Sequence, residues 1–146
     1  MSGEIIKSGI RGVWKALISE NLEEALSFYT DDATLTWGQF SFKGIEEIRR
    51  WAKELAQHLG KLAFRENELT IEGDKAIQNF TIMFAPPDTF RGIMSGVGLY
   101  EFKNGKIQYL KITFFPGYTV VNKEYFELCF TKYELTRSES SSSKAD

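Results

Sequence analysis

Apolar residues recur at helical spacing along the first part of the chain and alternate with polar ones after Gly60. Ile6, Ile10, Val13, Trp14, Leu17 and Ile18 form one stripe, which packing on a core explains better than lying on a membrane. Asn21 is placed to cap a short helix bearing Leu22, Ala25, Leu26 and Tyr29 on one face, and Glu23 and Glu24 suit the positive end of its dipole. Thr30-Asp31-Asp32 predicts a turn, because short polar side chains compete for backbone hydrogen bonds. Thr34 to Trp37 alternates as a strand, Gly38 permits a turn, and Phe40 and Phe42 continue in extended form. After Gly44, the residues Ile45, Ile48, Trp51, Leu55 and Leu59 predict a longer helix that ends at Gly60.

Leu62, Phe64, Leu69 and Ile71 and then Ile77 to Phe84 read as two strands joined at Gly73-Asp74, the second closed by Pro86-Pro87-Asp88. Phe90 to Phe102 and Ile107 to Phe115 form another pair about Asn104-Gly105, a type I′ hairpin signal. Long strands joined by short turns predict a mostly antiparallel sheet with the early helices on one face, an α+β fold. Strand parity then separates the faces. Phe80, Ile82 and Phe84 point inward against Asn79 and Thr81, and Leu110, Ile112 and Phe114 point inward against Tyr109, Lys111 and Thr113. On the strand between them, Arg91, Ile93, Ser95, Val97 and Leu99 are expected inward. Gly92, Gly96 and Gly98 then fall on the far side, where missing side chains let the strand bend.

The 146 residues fit one domain, expected over residues 1–137. Residues 117–137 are expected to form a C-terminal arm, read either as a short helix capped by Asn122 with Tyr125, Phe126, Cys129 and Tyr133 on one face, which is favoured, or as an irregular segment over the sheet. Ser138 to Asp146 is too polar to order and is expected to be a disordered tail. An aromatic content of 14%, with 12 Phe, is high and implies a large core or an apolar pocket. A net charge of -2 without a basic run argues against nucleic acid as a partner. The lone Cys129 permits no internal disulfide, and the lone His58 stands in the last turn of a helix, where it suits the dipole and solvent. No metal-ligand spacing, phosphate loop or membrane-length apolar run is present, so a cytoplasmic protein without metal or cofactor is expected.

Several of these segments resemble a known superfamily, the cystatin-like α+β cone shared by nuclear transport factor 2, ketosteroid isomerase and SnoaL-type cyclases. The resemblance rests on Asn21-Leu-Glu-Glu-Ala-Leu with Tyr29-Thr-Asp-Asp-Ala-Thr, on Phe42-Lys-Gly-Ile-Glu-Glu-Ile-Arg, and on Asn104-Gly-Lys-Ile-Gln-Tyr-Leu with Phe115-Pro116. It implies a curved sheet wrapped around a helix, with a pocket at the wide end. It also places Trp37 where the isomerases keep their proton-accepting aspartate, Val97 where they keep an oxyanion-donating acid, and Val13 near their first-helix tyrosine. Phe115 replaces a carboxylate before the proline of the last strand. The isomerase reaction is therefore not expected. The expected lining of a site for a small apolar ligand is Trp37, Phe80, Ile82, Phe84, Ile93, Val97, Leu110, Ile112 and Phe114, with Arg91 and Ser95 as polar anchors. Two other classes stay open. One is a SnoaL-like cyclase, isomerase or hydrolase using Glu68 or His58 as base. The other is an association module, in which the outer sheet face with Tyr109, Lys111, Thr113 and Met83 pairs two copies into a homodimer.

Overall fold

The first stripe forms helix α1 (Gly3–Ile18), capped by the Ser2 hydroxyl, which accepts from the Ile5 amide. Ile6, Ile10, Val13 and Trp14 are buried along it. It closes with the Asn21 amide donating to the Ala16 carbonyl at 2.9 Å while Glu20 adopts a φ of 58°, the left-handed turn that ends many helices. The Asn21 side chain caps α2 (Leu22–Leu26) as expected, accepting from the Glu24 amide. The computed structural model describes residues 2–59, 61–85, 91–117 and 119–121, without the side chains at 58, 59, 61, 91 and 119–121. The expected Gly60 cap, the Pro86-Pro87-Asp88 closure, the helix after Asn122 and the serine-rich tail lie outside the described residues, as do the side chains of His58 and Arg91.

Strand β1 (Tyr29–Trp37) follows α2 directly. Asp31 and Asp32, expected to make a turn, lie instead within β1, exposed where its register against a neighbour shifts between Tyr29 and Thr34. The irregularity releases them from the ladder, which suits side chains that compete with it, and the Thr30 hydroxyl donates to Asp32 Oδ1 at 3.0 Å. Strand β2 (Phe40–Lys43) returns against β1, and α3 (Ile45–Leu59) buries Ile48, Trp51 and Ala52. Strands β3 (Lys61–Glu72), β4 (Lys75–Ala85), β5 (Arg91–Lys103) and β6 (Lys106–Phe114) form an antiparallel meander, and β7 (Thr119–Val121) pairs with the start of β5. Asn104 and Gly105 have φ of 53° and 82°, as the type I′ turn requires. The sheet order is β2-β1-β6-β5-β4-β3, and only β1 and β6 run parallel. Helix α1 packs against β3 and β6, and α3 against β1 and β2, so the helices cover one face of the curved sheet. The fold is α+β, as the pattern predicted.

Parity holds on β4 and β6 but is reversed on β5. Directly opposed residues share a face, and the register opposes Phe80 to Gly96, Phe84 to Gly92, Gly96 to Phe114 and Gly98 to Ile112. The glycines therefore face the interior. Ile93, Ser95 and Val97, expected as lining, face outward with Leu99. Ser95 shares a hydrogen bond of 3.0 Å with the outward Thr81, and Val97 opposes Asn79 and Thr113. The reason is volume. A Cβ on Gly92 would lie 2.4 Å from the Phe84 ring, and one on Gly96 would lie 3.0 Å from Phe80 and 3.2 Å from Phe114. Rings from the flanking strands fill the space above β5, which can then contribute only backbone there. On the outer face, Ile77 and Leu99 oppose each other and stay 46% and 38% exposed, whereas Met83, expected to help pair two copies, is fully buried. Among the described residues no helix is long and apolar enough to cross a membrane.

Candidate functional site

Across the interior runs a row of rings from α1 to α3. Trp14 stacks on Phe64 with centroids 4.1 Å apart, Phe64 on Phe80 at 5.3 Å, and Phe80 meets the Phe114 edge at 6.1 Å. Phe114 meets Trp37 at 4.8 Å, and Trp37 leans on Trp51 at 5.3 Å. The row draws on every long strand except β5, whose glycines lie beneath it. Burial along the inner face decreases toward one end of β1, β5 and β6. Leu35, Leu110, Ile112 and Tyr100 are sealed, whereas Trp37 on β1, Phe114 on β6 and Met94 on β5 are half-buried while still packed on the core. All three lie toward the same end of the sheet. Of the expected lining, Trp37 and Phe114 are half-buried at that end, Phe84 is buried beside them, and Phe80, Ile82, Leu110 and Ile112 are buried further along.

A buried polar chain was missed by the sequence reading. Trp14 Nε1 donates to Tyr100 Oη at 2.7 Å, and Tyr100 donates to Gln78 Oε1 at 2.7 Å. Gln78 Nε2 then donates to Glu66 Oε1 at 3.1 Å, and Arg11 donates to both carboxylate oxygens of Glu66. Gln78 is fully buried, so each of its polar atoms needs these partners. The signal was available: Gln78 stands two residues before Phe80 and must share its face. Glu66 was hidden by a bulge. The register against β4 shifts between Glu66 and Glu68, so Glu66 opposes inward Phe80 while Glu68 opposes outward Asn79, whose amide it accepts at 3.2 Å. Glu68, one of the two base candidates of the cyclase, isomerase or hydrolase alternative, therefore faces outward. Burial alone would raise the Glu66 pKa, but hydrogen bonds from Arg11 and Gln78 and the charges of Arg11 and Lys7 outweigh it and hold the carboxyl below its usual range. An ionised carboxylate with both oxygens occupied is a poor proton acceptor. Burial pushes the Tyr100 hydroxyl up, Trp14 opposes this, and Tyr29 and Glu66 add to it, so Tyr100 stays neutral as a donor.

Two buried side-chain atoms among the described residues have no hydrogen-bond partner, Tyr29 Oη and Trp51 Nε1. Tyr29 lies at the closed end, where β1 begins opposite Ile107, and burial raises its pKa. Tyr100 and Tyr29 therefore make a paired test. Tyr100→Phe leaves the Trp14 indole and the Gln78 carbonyl unpaired and is expected to lower stability by about 1–3 kcal/mol. Tyr29→Phe removes an orphan and is expected to leave stability unchanged or raise it. Urea midpoints measured at constant slope compare the two. Equal losses from both would mean that the chain carries no weight.

A concavity lies outside the sheet. It is a cleft of about 290 Å³ among α1, α2 and α3, lined by Ala16, Leu17, Leu22, Ala52 and Ala56 with Glu20, Asn21, Lys53 and Gln57. Those four polar side chains are exposed, so the cleft offers no buried group to orient a ligand. Among the described residues no group of three His, Cys, Asp or Glu side chains is placed to hold a metal ion.

Residues 10–110 match the family model of the SnoaL-like domain. No curated protein matches the sequence. An NTF2-like protein of unknown function from Burkholderia pseudomallei K96243 superposes with a TM-score of 0.72 at 15% identity, over 79% of this chain and 92% of its own. TerC, co-crystallised with polyporic acid, does so with a TM-score of 0.68 at 13% identity, over 86% of this chain and 95% of its own. An LEH-like epoxide hydrolase from M. tuberculosis has a TM-score of 0.64 at 12% identity, over 90% of this chain and 93% of its own. At these identities the likeness is one of fold.

Proposed function

This chain belongs to the SnoaL-like domain family, and from that premise we propose that it binds a small apolar molecule at the open end of its sheet, framed by Trp37, Phe84, Met94 and Phe114. One observation carries the reading. Inner-face side chains pass from sealed to half-exposed at the same end of β1, β5 and β6, and every one of them there is apolar. A half-exposed apolar end of an inner sheet face, bordered by aromatic rings, suits a ligand that leaves water for it. The co-crystallisation of TerC with polyporic acid supports the idea that this fold can take up a small organic molecule. Catalysis by a carboxylate base is the weaker alternative, since Glu66 is engaged by Arg11 and Gln78 and Glu68 faces outward.

The test uses the fluorescent apolar amine N-phenyl-1-naphthylamine. Its emission should rise and saturate near one molecule per chain. Trp37→Ala and Phe114→Ala should each weaken binding about tenfold, the loss of one good aromatic contact. Ala56→Trp, which crowds the cleft between the helices, should change nothing. A probe that fails to saturate, or one displaced by Ala56→Trp and indifferent to Trp37 and Phe114, would remove this reading.

A further inference from the structure

Five large apolar side chains are exposed among the described residues, and the two most exposed, Phe40 at 59% and Phe115 at 51%, are the only aromatic ones. Both stand at the end of the sheet where Trp37, Phe114 and Met94 are half-buried. Phe40 pairs directly with Trp37, whose ring meets Phe114 at 4.8 Å, and Phe115 follows Phe114 with its amide donating to the Ser95 carbonyl at 2.9 Å. Held backbone thus presents both rings to water. Single apolar side chains scattered over a surface are ordinary, but a run of them at one end of a fold marks an interaction site. Edge strands usually carry charge against unwanted pairing, yet the edge strand β2 presents Phe40-Ser41-Phe42 there.

Charge says which partner. The register sets residues 37–41, 62–65, 81–84, 92–96 and 113–117 at this end, and none of them is acidic, although the chain has 20 Asp and Glu. The one charged residue among them is the exposed Arg65, and Lys61 and Arg91 begin β3 and β5 just beyond. Exposed aromatic rings among cations suit the interface of an anionic bilayer, where rings settle at headgroup level and Lys or Arg gains from negative lipid. We propose that this end of the sheet docks on an anionic lipid surface, with Phe40 and Phe115 entering the interface and the cations of β3 and β5 supplying long-range attraction. A second copy of the chain fits less well, since two such ends would set like charge against like charge. The contact is with the surface of the bilayer and needs no spanning helix. Docking does not depend on the ligand proposed above.

The experiment sediments the full chain with vesicles of equal parts phosphatidylcholine and phosphatidylserine, and with vesicles of phosphatidylcholine alone. The chain should bind the first, and bind the second about tenfold more weakly because its cations then meet no net negative lipid. Phe40→Ser and Phe115→Ser should each weaken binding to the first about tenfold, the loss of one apolar ring from the interface, while Leu99→Ser on the outer face changes nothing. Phe40→Trp keeps a ring in place and gives a second readout, which decides the matter if a serine variant fails to fold. Its emission should shift to the blue on the mixed vesicles, and that of Ile77→Trp should not. Absence of binding, equal binding to both vesicles, binding that survives both Phe→Ser substitutions, an equal loss in Leu99→Ser, or a Phe40→Trp emission indifferent to vesicles overturns the proposal. So does a dimer in sedimentation velocity that Phe40→Ser dissociates while vesicles go unbound, which would make this end a contact between copies.

Discussion

Phe80→Ala is expected to lower stability by about 3–5 kcal/mol, the upper range for loss of a buried aromatic side chain. Phe80 is fully buried and is the junction of the ring row, 5.3 Å from Phe64, 5.7 Å from Trp14 and 6.1 Å from Phe114. The size of such a loss depends on how far the surroundings collapse into the vacated space. Here they collapse poorly, because the residue opposite on β5 is Gly96, which has no side chain to move in, and Trp14 is tethered by its bond to Tyr100. Phe114→Ala, at a half-exposed position, should lose less. Urea unfolding of both variants gives the comparison, and a Phe80→Ala loss below about 1.5 kcal/mol would show that the row is not close-packed.

Gly96→Ala should lower stability by about 1–3 kcal/mol, the range for overpacking a filled core. At an unstrained position with free space, the same substitution would stabilise by restricting the unfolded chain. The backbone of Gly96 is not left-handed, so only contacts decide the sign. The new Cβ would lie 2.6 Å from the Thr113 carbonyl oxygen, which is backbone on β6 and can yield only if the strands part, in addition to its contacts with Phe80 and Phe114. Gly3→Ala is the control: it stands in the first turn of α1 with nothing near its Cβ and should be neutral or mildly stabilising. If Gly96→Ala were as benign as Gly3→Ala in thermal unfolding, the inward assignment of the β5 glycines would be wrong.

Most of the architecture was legible because each cue was local. The α1 stripe, the Asn21 cap, the Asn104-Gly105 turn and the alternation on β4 and β6 each depend on one segment and its own period. The β5 face could not be read that way. Ile93, Val97 and Leu99 look like an apolar row, and only the rings of Phe80, Phe84 and Phe114 on two other strands make the glycine row the inner one. The same holds for Glu66 and Glu68, whose faces are set by a bulge with no glycine to mark it. Of the candidate site, the inward direction of Trp37, Phe84 and Phe114 was legible in the sequence. Met94 entered only once the strands were placed side by side.

The glycines beneath the ring row also make neighbouring positions interdependent. Phe80 and Phe114 extend over a residue that must remain small for as long as they remain large, and either may shrink only if something else grows. Substitutions at Phe80 and Gly96 should therefore not act additively, and a loss at one can be offset by a gain at the other. What descent can preserve in this interior is the summed volume across strands, and the identity of any single residue is free to change beneath that constraint.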